Sequence, residues 1–237
     1  MTKDNMTIRF TPDGFSFIEY PDDASTLLDE APFHEVAPGP DFQQRLHEAV
    51  LDALPQRETP PDLTVQLVST RVVVLPPSIT DPELADRMFQ ATFTEADEAE
   101  QTLLQPLDLP NGQPVTLCFG IDRSLLHFLQ RNYGELRFEH HLATLLLEGA
   151  RQADGNTLVV QCLDQFLEVA LFRQAKLSLV NVYRSTQAAN RNFYVMNTWI
   201  QEHLDQLHDS LLILGHGDAA SQLHQDLRPF IKQILQQ

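Results

Sequence analysis

The sequence predicts a mixed α/β protein in which one strand-first unit is used twice, and three observations carry that expectation. Thr7-Ile8-Arg9-Phe10, a short polar turn and Phe15-Ser16-Phe17-Ile18-Glu19-Tyr20 read as strand, turn and strand. The same pattern returns at Thr157-Leu158-Val159-Val160, the turn Leu163-Asp164-Gln165, and Phe166 to Phe172. After each hairpin, segments with helical spacing alternate with short apolar runs. A repeated unit of this kind restricts the architecture strongly.

In the first half, Ser25-Thr26-Leu27-Leu28 and Phe33-His34-Glu35-Val36 offer a third strand, and Pro38-Gly39-Pro40 breaks the chain. Phe42, Leu46, Ala49, Val50, Ala53 and Leu54 fall at helical spacing, so 41–54 reads as an amphipathic helix. Val65 to Val68 and Arg71 to Leu75 are strand-like. Thr80 with Glu83 resembles a capping box opening a helix through Leu84, Met88 and Phe89. Residues 92–113 read as acidic and irregular, ending at Pro110-Asn111-Gly112. Val115 to Phe119 is a buried-type strand, Asp122 can cap a helix carrying Leu125 to Leu129, and Leu136 to Phe138 is a short strand. Leu142, Leu145, Leu146 and Ala150 mark a helix closed by Asp154-Gly155-Asn156.

In the second half, strands at 157–163, 166–173 and 176–183 follow with very short turns, an antiparallel meander. Ser185 or Thr186 is expected to cap a long helix whose apolar stripe is Phe193, Met196, Ile200 and Leu204, with Trp199 beside it. Phe166, Leu167, Phe172, Phe193, Met196 and Trp199 form an aromatic-rich set at strand and helix periods and are read as core. Ser210 to Leu214 is a short apolar strand, Asp218 can cap a last helix through Leu223, Leu227, Phe230, Ile231 and Ile234, and Pro229 should make that helix kink or restart near Arg228. The boundary falls between Arg151 and Asn156, which gives a first half over 1–152 and a shorter second half over 153–237.

Composition bounds function more than it identifies it. A hydrophobic share of 43% over 237 residues suits a globular protein. The net charge of −17 repels nucleic acid and anionic membrane surfaces. No apolar run approaches the ~20 residues that span a bilayer, and Met1 to Met6 has no apolar signal-peptide core, so a cytoplasmic location is expected. Cys118 and Cys162 lie in apolar runs and read as reduced, buried thiols. The nine histidines show no metal-ligand spacing: His203 and His208 are five apart, and no His-Glu-x-x-His or Cys-x-x-Cys occurs. No Gly-x-Ser-x-Gly elbow or phosphate loop is present. Gly215-His216-Gly217-Asp218-Ala219-Ala220 satisfies a dinucleotide pattern, but no acidic residue lies about 20 positions on, since the chain ends first. A tight strand-to-helix turn with Asp218 as cap is the simpler reading there, and an anion or ligand site at the helix N-terminus is the other.

The doubled order of three antiparallel strands followed by alternating helices and strands resembles the actin-like ATPase fold. The segments Thr7 to Tyr20, Val73-Val74-Leu75-Pro76, Leu158 to Tyr183, Asn192 to Trp199 and Leu211 to Gly217 resemble a bacterial family classed only as a domain of unknown function. The resemblance implies two similar actin-like, ribonuclease H-like halves packed across a cleft. It also implies where a nucleotide would sit: Asp13, Gly14 and Ser16 at the first hairpin, Asp164 and Gln165 at the second, and Gly215, His216 and Gly217 after the last apolar strand.

Two of those three places depart from the pattern of active members. The spacing around Asp13-Gly14 is wrong and bulky Phe15 follows it, while Leu163-Asp164-Gln165-Phe166 has no glycine for a phosphate nest. The expectation is therefore a non-catalytic binding or scaffolding protein with no catalytic residue, metal or cofactor, associating with a protein partner or with itself as a homodimer. The alternative is a divergent nucleotide-binding ATPase or phosphotransferase using the cleft with unusual residues.

Overall fold

The structure is a computed structural model that describes residues 5–19, 32–37, 39–53, 62–93, 99–163, 165–215 and 217–237. In chain order the elements are β1 (Asn5–Thr11), β2 (Gly14–Glu19), β3 (Phe33–Glu35), α1 (Phe42–Ala53), β4 (Asp62–Leu67), β5 (Val72–Leu75), α2 (Pro82–Thr92), β6 (Glu100–Asp108), β7 (Pro114–Asp122), α3 (Arg123–Tyr133) and β8 (Arg137–His140). There follow α4 (Leu142–Gln152), β9 (Thr157–Cys162), β10 (Phe166–Arg173), β11 (Lys176–Arg184), α5 (Ala188–Gln201), β12 (Ser210–Leu214), α6 (Asp218–Leu227) and β13 (Gln233–Gln236). The segment 25–28 lies outside the described residues.

Two compact units result: Met1–Val73 with Ile79–Gln105 and Leu117–His141, and Val74–Ser78 with Pro106–Thr116 and Leu142–Gln237. The first unit holds a sheet in the order β3-β2-β1-β4-β8, and the second a sheet in the order β11-β10-β9-β12-β13. In both, the first three strands pair antiparallel and the last two add parallel to the first. The same order and the same pairing senses twice over make the repeat a property of the topology. The sequence boundary near 152 leaves α4 with the first half. In the structure α4 packs on β9 and β10 and so belongs to the second unit.

In the second unit, β9 and β10 are mostly apolar because they are covered on both faces, with the buried Glu168 of β10 set opposite Gln161 of β9. One face sends Leu158, Val160, Leu167, Val169 and Leu171 against Val195 and Trp199 of α5 and Leu223 and Leu227 of α6. On the other, Gly149 of α4 lies against Phe172 and Val159. In the first unit, α1 packs on α3, and the His47 ring stacks on Phe128 at 4.1 Å. Burial of His47 lowers its pKa, partly opposed by the Asp122 carboxylate.

Several local expectations are corrected. The stretch 92–113 is not irregular throughout: Glu100–Asp108 is a nine-residue strand. It is the edge of the order β5-β7-β6, where Pro106 is tolerated because an edge strand needs no donor on its free side. The cap of α2 is Asp81, not Thr80, and its carboxylate accepts from Glu83 N–H at 3.0 Å. Asp122 does cap α3, accepting from Leu125 N–H at 3.0 Å, and Gly134 at φ 78° ends that helix. Neither Ser185 nor Thr186 caps α5; Gln187 precedes it with no side-chain cap bond. Asp218 is the first residue of α6, with Gly217 at the cap. That helix ends at Leu227, before Pro229, and the chain finishes as β13 parallel to β12.

The largest correction concerns α5. Its packed face is Arg191, Val195, Thr198 and Trp199, while Phe193 and Ile200 are each 62% exposed. Both stripes fit a helical period, and the one that buries Trp199 faces the sheet.

Two outcomes follow from this packing. A Cβ on Gly149 would lie 2.7 Å from the Phe172 ring, so Gly149→Ala should destabilise by about 1–3 kcal/mol by chemical denaturation. The added change Phe172→Leu should recover part of the loss, and strict additivity would refute the contact. Burial pushes the Cys118 and Cys162 thiols up to about 11. The stability linked to their protonated form is complete below an unfolded value of about 8.5 and fades as pH rises through the folded value. Iodoacetamide at mildly alkaline pH should label both slowly in the native protein and both rapidly in denaturant.

Candidate functional site

Parallel pairing brings the carboxyl ends of strands together, and in open sheets ligands bind beyond those ends. In the second unit, Gln161 of β9 lies beside Leu214 of β12. The turn after β9 and the turn from β12 into α6 therefore sit at one end of the sheet. Gln165 lies in the first of these turns and Gly215 and Gly217 in the second; Asp164 and His216 lie outside the described residues.

The β9–β10 turn is closed by Leu163 N–H donating to the Phe166 carbonyl at 2.9 Å. The Gln165 carbonyl accepts from Ser185 N–H at 2.7 Å, and its side-chain oxygen accepts from Arg184 at 3.3 Å. Arg191, buried in α5, donates to the Leu163 carbonyl at 3.4 Å. Side chains and backbone from β11 and α5 thus hold this turn.

At the β12–α6 turn, Gly215 has φ 97°, a conformation that favours glycine. Its N–H donates to the Gln237 carbonyl, and its own carbonyl accepts from Gln236 Nε2 at 3.2 Å. Asp218 places a carboxylate in the first turn of α6, where it complements the helix dipole and opposes a second anion.

In the first unit, Asp13 occupies the β1–β2 turn, where Thr11 Oγ1 donates to its Oδ1 at 2.8 Å and its carbonyl accepts from Val36 N–H at 2.8 Å. A Cβ on Gly14 would run into the His34 carbonyl oxygen. Ser16 is buried two residues into β2, opposite Arg9 and Phe33. The Phe15 ring is fully buried and stacks on His34 at 4.9 Å.

The same unit holds a polar cluster that the sequence reading did not find. Arg71 donates to both Glu100 oxygens, with Nε 2.8 Å from each and Nη2 2.5 Å from Oε2. Its guanidinium lies over the rings of Phe93 at 4.7 Å and Phe89 at 5.4 Å. Glu100 is nearly buried, and the absence of a Cβ on Gly120 makes room for its carboxylate. Next to Arg71, Ser69 Oγ is 3.4 Å from His140 Nε2 and accepts from Arg71 N–H at 3.3 Å. Gln105 of β6 accepts from His140 N–H at 2.9 Å. The Arg71–Glu100 and Ser69–His140 contacts join residues 29 and 71 apart in sequence, a separation that no local pattern reports. Among the described residues, no group of three His, Cys, Asp or Glu is placed to hold a metal ion.

The family described as "Protein of unknown function (DUF3822)" matches residues 1–234. The chain belongs to that family. A protein of unknown function with an actin-like ATPase fold from Bacteroides thetaiotaomicron VPI-5482 superposes with a TM-score of 0.80 at 23% identity, covering 99% of this chain and 91% of that one. A chain of the PilM-PilN type IV pilus biogenesis complex superposes with a TM-score of 0.51 at 15% identity, covering 98% of this chain and 84% of that one. No curated protein matches by sequence. Membership and superposition agree with the doubled topology: the fold is actin-like, carried by a family whose function is not established. No helix among the described residues is long and apolar enough to cross a membrane.

The Arg71–Glu100 pair yields a direct expectation. Glu100→Gln removes the carboxylate that the partly buried Arg71 guanidinium is paired with; such losses reach about 3–5 kcal/mol at full burial, and the partial exposure of Arg71 reduces this to about 2 kcal/mol. Urea denaturation should show that loss, and a change below about 0.5 kcal/mol would mean that the pair does not hold the unit together.

Proposed function

We propose that this protein is a non-catalytic binding or scaffolding protein on a degenerate actin-like ATPase frame, working in the cytoplasm with a protein partner or a second copy of itself. The observation that carries the reading is the state of Gly215. A phosphate cradle at a strand-to-helix turn needs backbone N–H groups free to point at the anion. Here the Gly215 N–H is taken by Gln237, and the carboxylate of Asp218 stands in the first turn of the helix that would receive the phosphate. The engaged Thr11–Asp13 and Ser185–Gln165 contacts support the same reading at the two hairpins. A frame of this kind also occurs in the PilM-PilN complex, an assembly of proteins, which favours protein over nucleotide as the bound species.

The test is thermal unfolding with ATP, GTP and magnesium. A nucleotide present at 100 times its Kd stabilises by about 2.7 kcal/mol, or roughly 5–10 °C in Tm for a chain of this size. The expected result is no rise. A rise of that size, abolished by Gly217→Ala, would replace this reading with the nucleotide-binding alternative.

A further inference from the structure

The exposed side of α5 carries a specific pattern. Ala189, Phe193, Met196 and Ile200 recur at the spacing four, three, four, the seam spacing of two packed helices. Ala189 is exposed, Phe193 and Ile200 are the two most exposed large hydrophobics described, and Met196 is half-buried against the core. Scattered apolar side chains on a surface need no explanation, whereas a continuous seam on one helix does.

Charge selects the occupant. The chain carries 33 acidic residues against 16 basic ones, so two copies repel over most of their surface. The helix α5 has no acidic residue; its one charged side chain, Arg191, is buried on the packed face. Polar neighbours of the seam on the helix are the uncharged Asn190, Asn192, Asn197 and Gln201, and Asn192 donates to the Asp226 carboxylate of α6 at 2.7 Å, which a second bond from Gln222 also holds. Glu202, just past the helix, is paired with Arg173 at 3.0 Å. A second copy therefore meets no acidic side chain on α5 itself, and the described carboxylates beside it, Asp226 and Glu202, are already bonded within the chain.

The seam is also self-complementary. With a two-fold axis between Tyr194 and Val195 and the helices antiparallel, Phe193 meets Met196 of the other copy, and Ala189 meets Ile200. Large sits against soft in one pair and small against large in the other, and a two-fold contact repeats each pair.

We propose that two copies of this chain associate through α5, antiparallel, with Phe193 and Ile200 as the anchors. The inference deepens the scaffold reading and rests on it for the expectation that the chain docks to protein; it does not depend on whether a nucleotide binds. A contact of one helix per copy is small, so the dimer is weak, with a Kd on the order of 1–100 μM. Two chains of −17 held by apolar contact should associate more tightly as salt screens their repulsion, the opposite of a dimer held by ion pairs.

Light scattering across a concentration series tests this on the full chain. The wild-type mass should rise from monomer towards dimer, and more readily at about 500 mM than at about 50 mM salt. Phe193→Glu and Ile200→Glu should each weaken association at least tenfold with unchanged circular dichroism and Tm, since both side chains are exposed. Ala189→Lys should weaken it too, and mixing Ala189→Lys chains with Ile200→Glu chains should restore a mixed dimer. A wild-type chain that stays monomeric up to about 1 mM overturns the proposal and leaves the seam to a helix of another protein. A dimer unaffected by Phe193→Glu, or no recovery on mixing, overturns it as well. None of these results alters the nucleotide experiment, so failure of the dimer and failure of the scaffold reading are told apart.

Discussion

The parallel pairing of the first strand with the fourth, β1 with β4 and β9 with β12, is the constraint from which the rest follows. Parallel neighbours cannot be joined by a tight turn, so the chain must cross over, and helices supply the crossovers. Those helices must then bury one face against the sheet, as α5 does through Val195 and Trp199 and α6 through Leu223 and Leu227. The same pairing aligns the carboxyl ends of the strands, which is why the β9–β10 turn and the β12–α6 turn share one end of the second sheet.

Burial and charge divide the labour between inside and surface. In the core strands β9 and β10, Leu158, Val160, Leu167 and Val169 are fully buried. The net charge of −17 keeps chains apart over most of their exposed area. Against that background α5 exposes Phe193 and Ile200 on a helix that has no acidic residue.

How much of this was legible in the sequence depends on whether a signal was local. Both hairpins could be read because β-branched and aromatic runs are bounded by short polar turns, and the second meander was legible almost to the residue. The strand β6 was missed because Leu103-Leu104 and Pro106 break the period-two alternation that marks a strand. β13 was missed because Ile231 and Ile234 continue the helical spacing of Leu223 and Leu227, although Pro229 removes the backbone donor such a helix needs. The helix α5 carries two apolar stripes of the same period, and only tertiary packing chooses between them. The Arg71–Glu100 pair joins residues that follow β4 to the start of β6, a contact set by the fold and not by neighbours in the chain.

The glycines that draw attention to the candidate site are accounted for by packing. At Gly14 the missing Cβ leaves space for the His34 carbonyl of the adjoining strand. At Gly215 a positive φ turns the chain from β12 towards α6, and both backbone polar groups are spent on the last two residues of the sequence. At Gly120 the missing Cβ admits the Glu100 carboxylate. At Gly14 and Gly215 the chain geometry alone accounts for glycine, so a pattern that matches a phosphate motif in sequence can persist there for reasons of packing.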